Sequence, residues 1–120
     1  MIKIVVCDEE LIFVKMLKQE LDKYGYDVSV TTDGYQCMDL IRTKMPDVLV
    51  TDLFVPRLNS LELISKVREI KQNIAILVYA DIRSEKVIDQ VFRLGVKDFV
   101  YKPVDPDRLI WRIKTIINRK

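Results

Sequence analysis

Short apolar runs alternate with longer stretches of helical periodicity along the whole chain. Lys3–Cys7 reads as a strand, and Leu11–Tyr24 then carries apolar residues at helical spacing (Phe13, Met16, Leu17, Leu21, Tyr24) before Gly25. Asp27–Thr32 alternates like a strand, and Tyr35–Lys44 is a helix closed by Pro46. Val48–Thr51 reads as a buried strand, Leu58–Ile70 as a helix and Ile74–Tyr79 as a second buried strand. Ser84–Leu94 is a helix ended by Gly95, and Asp98–Tyr101 is the fifth strand. The last helix announces its start: Asp105 is placed to cap it and Pro106 to occupy its first turn.

Strand–helix alternation with short connections predicts an α/β fold, a parallel sheet with helices on both faces. Right-handed crossovers and one reversal of direction give a doubly wound (βα)5 sheet of strand order 2-1-3-4-5, the flavodoxin-like arrangement. Its switch point falls between the first and third strands, where such sheets place their ligands. A chain of 120 residues suits one domain, here residues 1–120.

Composition agrees with a globular domain: 49% of residues are hydrophobic and 32% charged. The run Ala75–Ala80 is far too short to span a bilayer, and neither a signal peptide nor a lipidation motif is visible. A net charge of +2 is too near balance to argue nucleic-acid binding. Cys7 and Cys37 fit reduced, buried thiols in a cytoplasmic protein. The chain has no histidine, which removes Ser/His and Cys/His nucleophile pairs and makes a zinc site improbable.

The chemistry sits at the strand ends. Ile4–Cys7 runs into Asp8-Glu9, Val48–Thr51 into Asp52, and Phe99–Tyr101 into Lys102-Pro103. Parallel strands bring these charges to one edge. Clustered carboxylates repel unless a cation joins them, and oxygen-only ligands favour magnesium, manganese or calcium over transition metals. Lys102 adds a compact positive charge suited to a phosphoryl group. An aspartate can be the nucleophile in phosphoryl transfer, forming an aspartyl phosphate.

These residues, in this order, resemble the receiver domain of two-component response regulators over essentially the whole chain. The resemblance implies that Asp52, with Pro56 four residues on, accepts a phosphoryl group from a sensor histidine kinase or histidine phosphotransfer protein. It implies that Asp8, Glu9, Asp52 and the backbone carbonyl of Phe54 hold magnesium, that Lys102 contacts the phosphoryl oxygens, and that the bond from Lys102 to Pro103 is of a kind that is often cis. It makes Phe99 the aromatic that moves on activation, and it makes the protein a signalling phosphoacceptor rather than an enzyme. Three positions depart from the family pattern. Tyr79 stands where a Thr or Ser hydroxyl is usual at the end of the fourth strand, and a phenol there is expected to lie over the cleft or swing away. Glu9 replaces a common Asp, and Asn59-Ser60 replaces Asp-Gly in a loop where positive φ would be tolerated by Asn.

On the last helix Leu109, Ile110, Ile113, Ile116 and Ile117 form one apolar face, with Trp111 almost opposite. Phe92 sits at the edge of the core stripe Val87, Ile88, Val91 and Leu94 of the fourth helix. Trp111 and Phe92 either fold onto their neighbours or anchor an interface. In receivers the surface of the fourth helix, fifth strand and fifth helix often serves dimerisation or partner binding, which favours the interface. Arg112, Lys114, Arg119 and Lys120 read as complements to the helix dipole rather than as a nucleic-acid contact. The chain stops where a linker would begin, which suits the receiver portion of a longer regulator. The competing reading is a pseudo-receiver, a constitutive protein-binding module without the switch, motivated by Tyr79. An aspartyl-phosphatase of the haloacid dehalogenase type lacks its second Asp because position 54 is Phe, and the acids after the first strand would repel a flavin phosphate.

Overall fold

The protein was analysed as a computed structural model, which describes residues 1–119 and, of Ser60, the backbone. The elements follow in the order β1 (Lys3–Cys7), α1 (Leu11–Asp22), β2 (Asp27–Thr31), α2 (Gly34–Lys44), β3 (Val48–Asp52), β4 (Phe54–Val55), β5 (Leu58–Asn59), α3 (Ser60–Ile70), β6 (Ala75–Ala80), α4 (Glu85–Arg93), β7 (Asp98–Tyr101) and α5 (Pro106–Asn118). The main sheet has the order β2-β1-β3-β6-β7 and is parallel throughout. Counting only its five strands, this is the expected 2-1-3-4-5. β4 and β5 form a two-residue antiparallel hairpin just after β3.

Because both faces of the sheet are covered, every residue of β3 and β6 is buried, and both strands are mostly apolar along their length. Alternate side chains feed two cores. On one face Ile4, Val6, Val50, Leu77 and Val100 meet Val14, Leu17 and Leu21 of α1 and Leu109, Ile110, Ile113 and Ile116 of α5. On the other Val5, Leu49, Ile76, Val78 and Phe99 meet Cys37, Met38 and Ile41 of α2, Leu63, Ile64 and Val67 of α3 and Val91 of α4. Both cysteines are buried free thiols. Among the described residues no helix is long and apolar enough to cross a membrane.

Several boundaries differ from the sequence pattern, each for a local reason. The α1 helix stops at Asp22, and the chain turns through Gly25 at φ 81, so Tyr24 lies beyond it. α3 begins at Ser60 because Asn59 is its N-cap, accepting from the backbone N–H groups of Leu61 and Glu62. Asn59 therefore has φ −60, and the positive φ in this loop belongs to Arg57, at 70. Asp105 caps α5 as expected, accepting from Asp107 N–H, with Pro106 in the first turn.

Two cations of α5 reach partners on other elements. Arg112 binds Asp98 with two nitrogens, at 2.7 and 2.5 Å, and Lys114 lies 3.9 Å from the centroid of the Tyr24 ring. Arg119 is the helix's C-cap residue, and Lys120 lies outside the described residues. Trp111 is 63% exposed and Phe92 46%, so neither folds down into the core.

Candidate functional site

The carboxyl ends of β1, β3, β6 and β7 meet at one edge of the sheet. Register does this: Cys7 lies beside Thr51, Asp52 beside Tyr79, and Ala80 beside Tyr101. Asp8, one residue past β1, and Asp52, the last residue of β3, are both buried carboxylates. Lys102 follows β7, its backbone N–H bonded to the Ala80 carbonyl at 3.0 Å and its bond to Pro103 cis. Its ammonium stands 2.6 Å from Asp52 Oδ2 and 3.6 Å from Asp8 Oδ2.

Each carboxylate also takes a backbone donor that fixes its orientation. Asp8 Oδ1 accepts from Glu10 N–H and Asp52 Oδ1 from Phe54 N–H, both at 3.1 Å. Tyr79 supplies a further strong contact: its hydroxyl donates to Asp8 Oδ2 at 2.7 Å. The phenol thus neither covers the cleft nor swings away. It enters from the α1/α5 core, fully buried, because position 79 falls on that face of β6. Burial, then the charge of Asp8 and the hydrogen bond to it, push the phenol far above its usual pKa, so it is protonated and can only donate here.

Burial pulls the Lys102 ammonium down, but the hydrogen bond and charge of Asp52, with the charge of Asp8, more than offset this and leave it above its ordinary value. Lys102 is therefore a fixed cation between two carboxylates. Phe99 sits in the opposite core from Tyr79, its ring edge-on to Tyr101 with centroids 5.4 Å apart.

Glu9 is not drawn into this cluster. It is exposed, and among the described residues no three acidic, His or Cys side chains gather closely enough to share a metal ion. The oxygen donors of Asp8 and Asp52 nevertheless have the chemistry of a hard-cation site, and Lys102 already supplies a positive charge between them. Two acids that the strand-end reading passed over, Glu10 and Asp81, line the cleft of about 360 Å³ beside Asp8 and Lys102. The signal for Asp81 was available, since it follows the apolar run of β6 just as Asp52 ends that of β3.

Beside the site, the β4–β5 hairpin is strapped to the start of α2. Gly34 N–H donates to the Pro56 carbonyl at 3.0 Å, and Arg57 pairs with Asp33 through two nitrogens while lying 5.0 Å from the centroid of Tyr35. Asp33 is held below the usual carboxylate range by that hydrogen bond.

Residues 4–114 match the model of the response regulator receiver domain. The chain is 33% identical over 119 residues to the alkaline phosphatase synthesis transcriptional regulatory protein PhoP of Bacillus subtilis (strain 168), covering 98% of this chain and 49% of that protein. It is 26% identical over 109 residues to the chemotaxis protein CheY of Thermotoga maritima, covering 90% of this chain and 91% of that one. The chain thus spans about half of one relative and nearly all of the other. Among solved structures, the CheY-like receiver domain protein of Methanospirillum hungatei JF-1 superposes with a TM-score of 0.92 at 19% identity, covering 99% of this chain and 95% of that one. The receiver domain of Francisella response regulator 1452 superposes at 0.88 with 26% identity, covering 99% and 98%. With its strand order, its strand-end acids and its lysine before a cis proline, the chain belongs to the family of response regulator receiver domains.

Proposed function

We propose that Asp52 is the phosphoacceptor of a two-component signalling pathway, taking a phosphoryl group from a histidine kinase or a histidine phosphotransfer protein. The single observation that carries this reading is the geometry at Asp52: a buried carboxylate at the sheet's switch point with an ammonium 2.6 Å away. In the reaction one oxygen of Asp52 forms a bond to phosphorus as the bond from phosphorus to the donor's imidazole nitrogen breaks, and the imidazole leaves carrying a proton. Lys102 then balances charge on the phosphoryl oxygens, and the Phe54 N–H holds the carboxylate while it reacts.

Asp8, Asp52 and the Phe54 carbonyl are the oxygens that would hold magnesium, with Glu9 turning in from solvent to join them. A bound magnesium (or manganese) ion would supply further positive charge to the phosphoryl oxygens. Modification at Asp52 then shifts the buried Phe99 and, with it, a surface that includes the exposed Trp111 and Phe92, by biasing two states of one fold. A cytoplasmic setting fits the buried free thiols. Family membership gives no support to the alternative, a constitutive protein-binding module without phosphorylation-driven switching.

The test is direct. Incubating the protein with a small phosphoryl donor such as acetyl phosphate and magnesium should add one acid-stable but base-labile phosphate per chain, read by intact mass. The Asp52→Asn variant should add none. An unmodified wild-type chain under every donor, histidine phosphotransfer proteins included, would refute the assignment.

A further inference from the structure

Tyr79 lies against both charged residues that flank Asp52. Its hydroxyl reaches Asp8 Oδ2 at 2.7 Å, and Lys102 Nζ lies 4.9 Å from its ring centroid. Phe13 of α1 closes the stack, its ring 5.6 Å away and tilted by 47°. The aromatic pair and the fully buried environment leave the phenol little freedom to rotate. Asp8 is thereby held at both oxygens, by the Glu10 N–H on one and by Tyr79 on the other. A carboxylate so buried depends on its donors, because water cannot replace them.

We propose that Tyr79 is a positioning residue of the phosphoacceptor site, its O–H setting the orientation of Asp8 and its ring seating Lys102 before any phosphoryl group arrives. This rests on the reading of Asp52 given above. The phenol's proton is committed to Asp8, so Tyr79 does not contact the phosphoryl group. That group meets Lys102 instead. Tyr79 also lies on the opposite face of the sheet from Phe99, so it serves the site and not the aromatic that faces the α3/α4 side. Partners of this kind, hydrogen-bonded to an oxygen ligand, are worth roughly 10–100-fold in metal affinity.

Tyr79→Phe in the intact chain keeps the ring and removes only the hydroxyl. In the metal-free protein, the amide of Glu10 should then exchange with solvent at least tenfold faster and the carboxyl carbon of Asp8 should change its NMR shift. Magnesium, titrated alone and followed by the amide shifts of Asp8, Glu9 and Phe54, should bind about tenfold more weakly. At saturating magnesium the maximal rate of phosphorylation should stay within a fewfold of wild type. Phe13→Leu, which loosens the packing around the phenol but leaves its hydroxyl in place, should move these readouts clearly less than Tyr79→Phe does. Unchanged Glu10 exchange and Asp8 shift in Tyr79→Phe would overturn the proposal, as would equal effects from Phe13→Leu. A wild-type chain that takes up neither magnesium nor phosphate would instead defeat the phosphoacceptor reading, while the metal-free comparison still decides the positioning role.

Discussion

Lys102 concentrates the electrostatics of the site in one side chain. It is 26% exposed and paired to two carboxylates that are nearly closed to water. Removing one partner of a buried ion pair costs about 3–5 kcal/mol, and the partial exposure of Lys102 discounts that to about 1–3 kcal/mol. Lys102→Met in metal-free protein should therefore lower stability by about that much in urea unfolding at pH 7–9. The pH dependence has a definite sign. The folded ammonium titrates above its unfolded value of about 10.4. Its contribution is therefore complete below that pH and is lost as pH rises through the folded value. The gap between wild type and variant should close above about pH 10.5, and a gap that widens there would contradict the pairing. Tyr79, beside it, shows how far residue identity alone reaches. The sequence marks a phenol at an unusual position, but whether it faces the cleft or the core depends on strand parity and on the space that Phe13 leaves.

The hairpin β4–β5 and the first turn of α2 act as one unit beside Asp52. At Gly34 a Cβ would stand 2.6 Å from the Cβ of Leu58 and 3.2 Å from the Pro56 carbonyl, so the hairpin must move to admit it. Two effects compete in Gly34→Ala. Helix propensity favours alanine by up to about 1 kcal/mol, while overpacking against backbone costs about 1–3 kcal/mol. The clash wins: the variant should be destabilised by about 1–2 kcal/mol, with amide shifts changed at Phe54 and Arg57. A stabilised variant would show that the hairpin yields freely. The sequence placed α2 but not this contact, since the glycine's neighbours Pro56 and Leu58 come from a hairpin too short to show a strand period.

At the scale of the molecule, the sheet divides two faces of different use. The carboxyl ends of the strands carry the acids and Lys102, whereas a groove of about 790 Å³ lies across the amino ends of β6 and β7, lined in part by Trp111, Arg112 and Lys97. Trp111 contributes little to the fold, so Trp111→Ala should unfold within about 0.5 kcal/mol of wild type. If α4, β7 and α5 form a dimer surface, the same variant should weaken self-association in sedimentation of the phosphorylated protein. Unchanged association would remove Trp111 from that surface.

The sequence by itself determined the alternation of strands and helices, the parallel sheet and the gathering of Asp8, Asp52 and Lys102. Unbroken apolar runs ending in charge can satisfy burial in few ways, and right-handed crossovers fix their order. It also marked Asp105 as a cap, because capping depends on neighbours in the chain. Only the tertiary structure decided what depends on distant residues meeting. Tyr79 became a buried donor to Asp8, Asn59 became a cap while Arg57 took the positive φ, and Glu9 stayed in solvent as Glu10 and Asp81 lined the cleft. Arg112 and Lys114 found partners in Asp98 and Tyr24. In each case the side chain's partner lies on another element. Pairwise geometry across the fold, which no local period encodes, selects it.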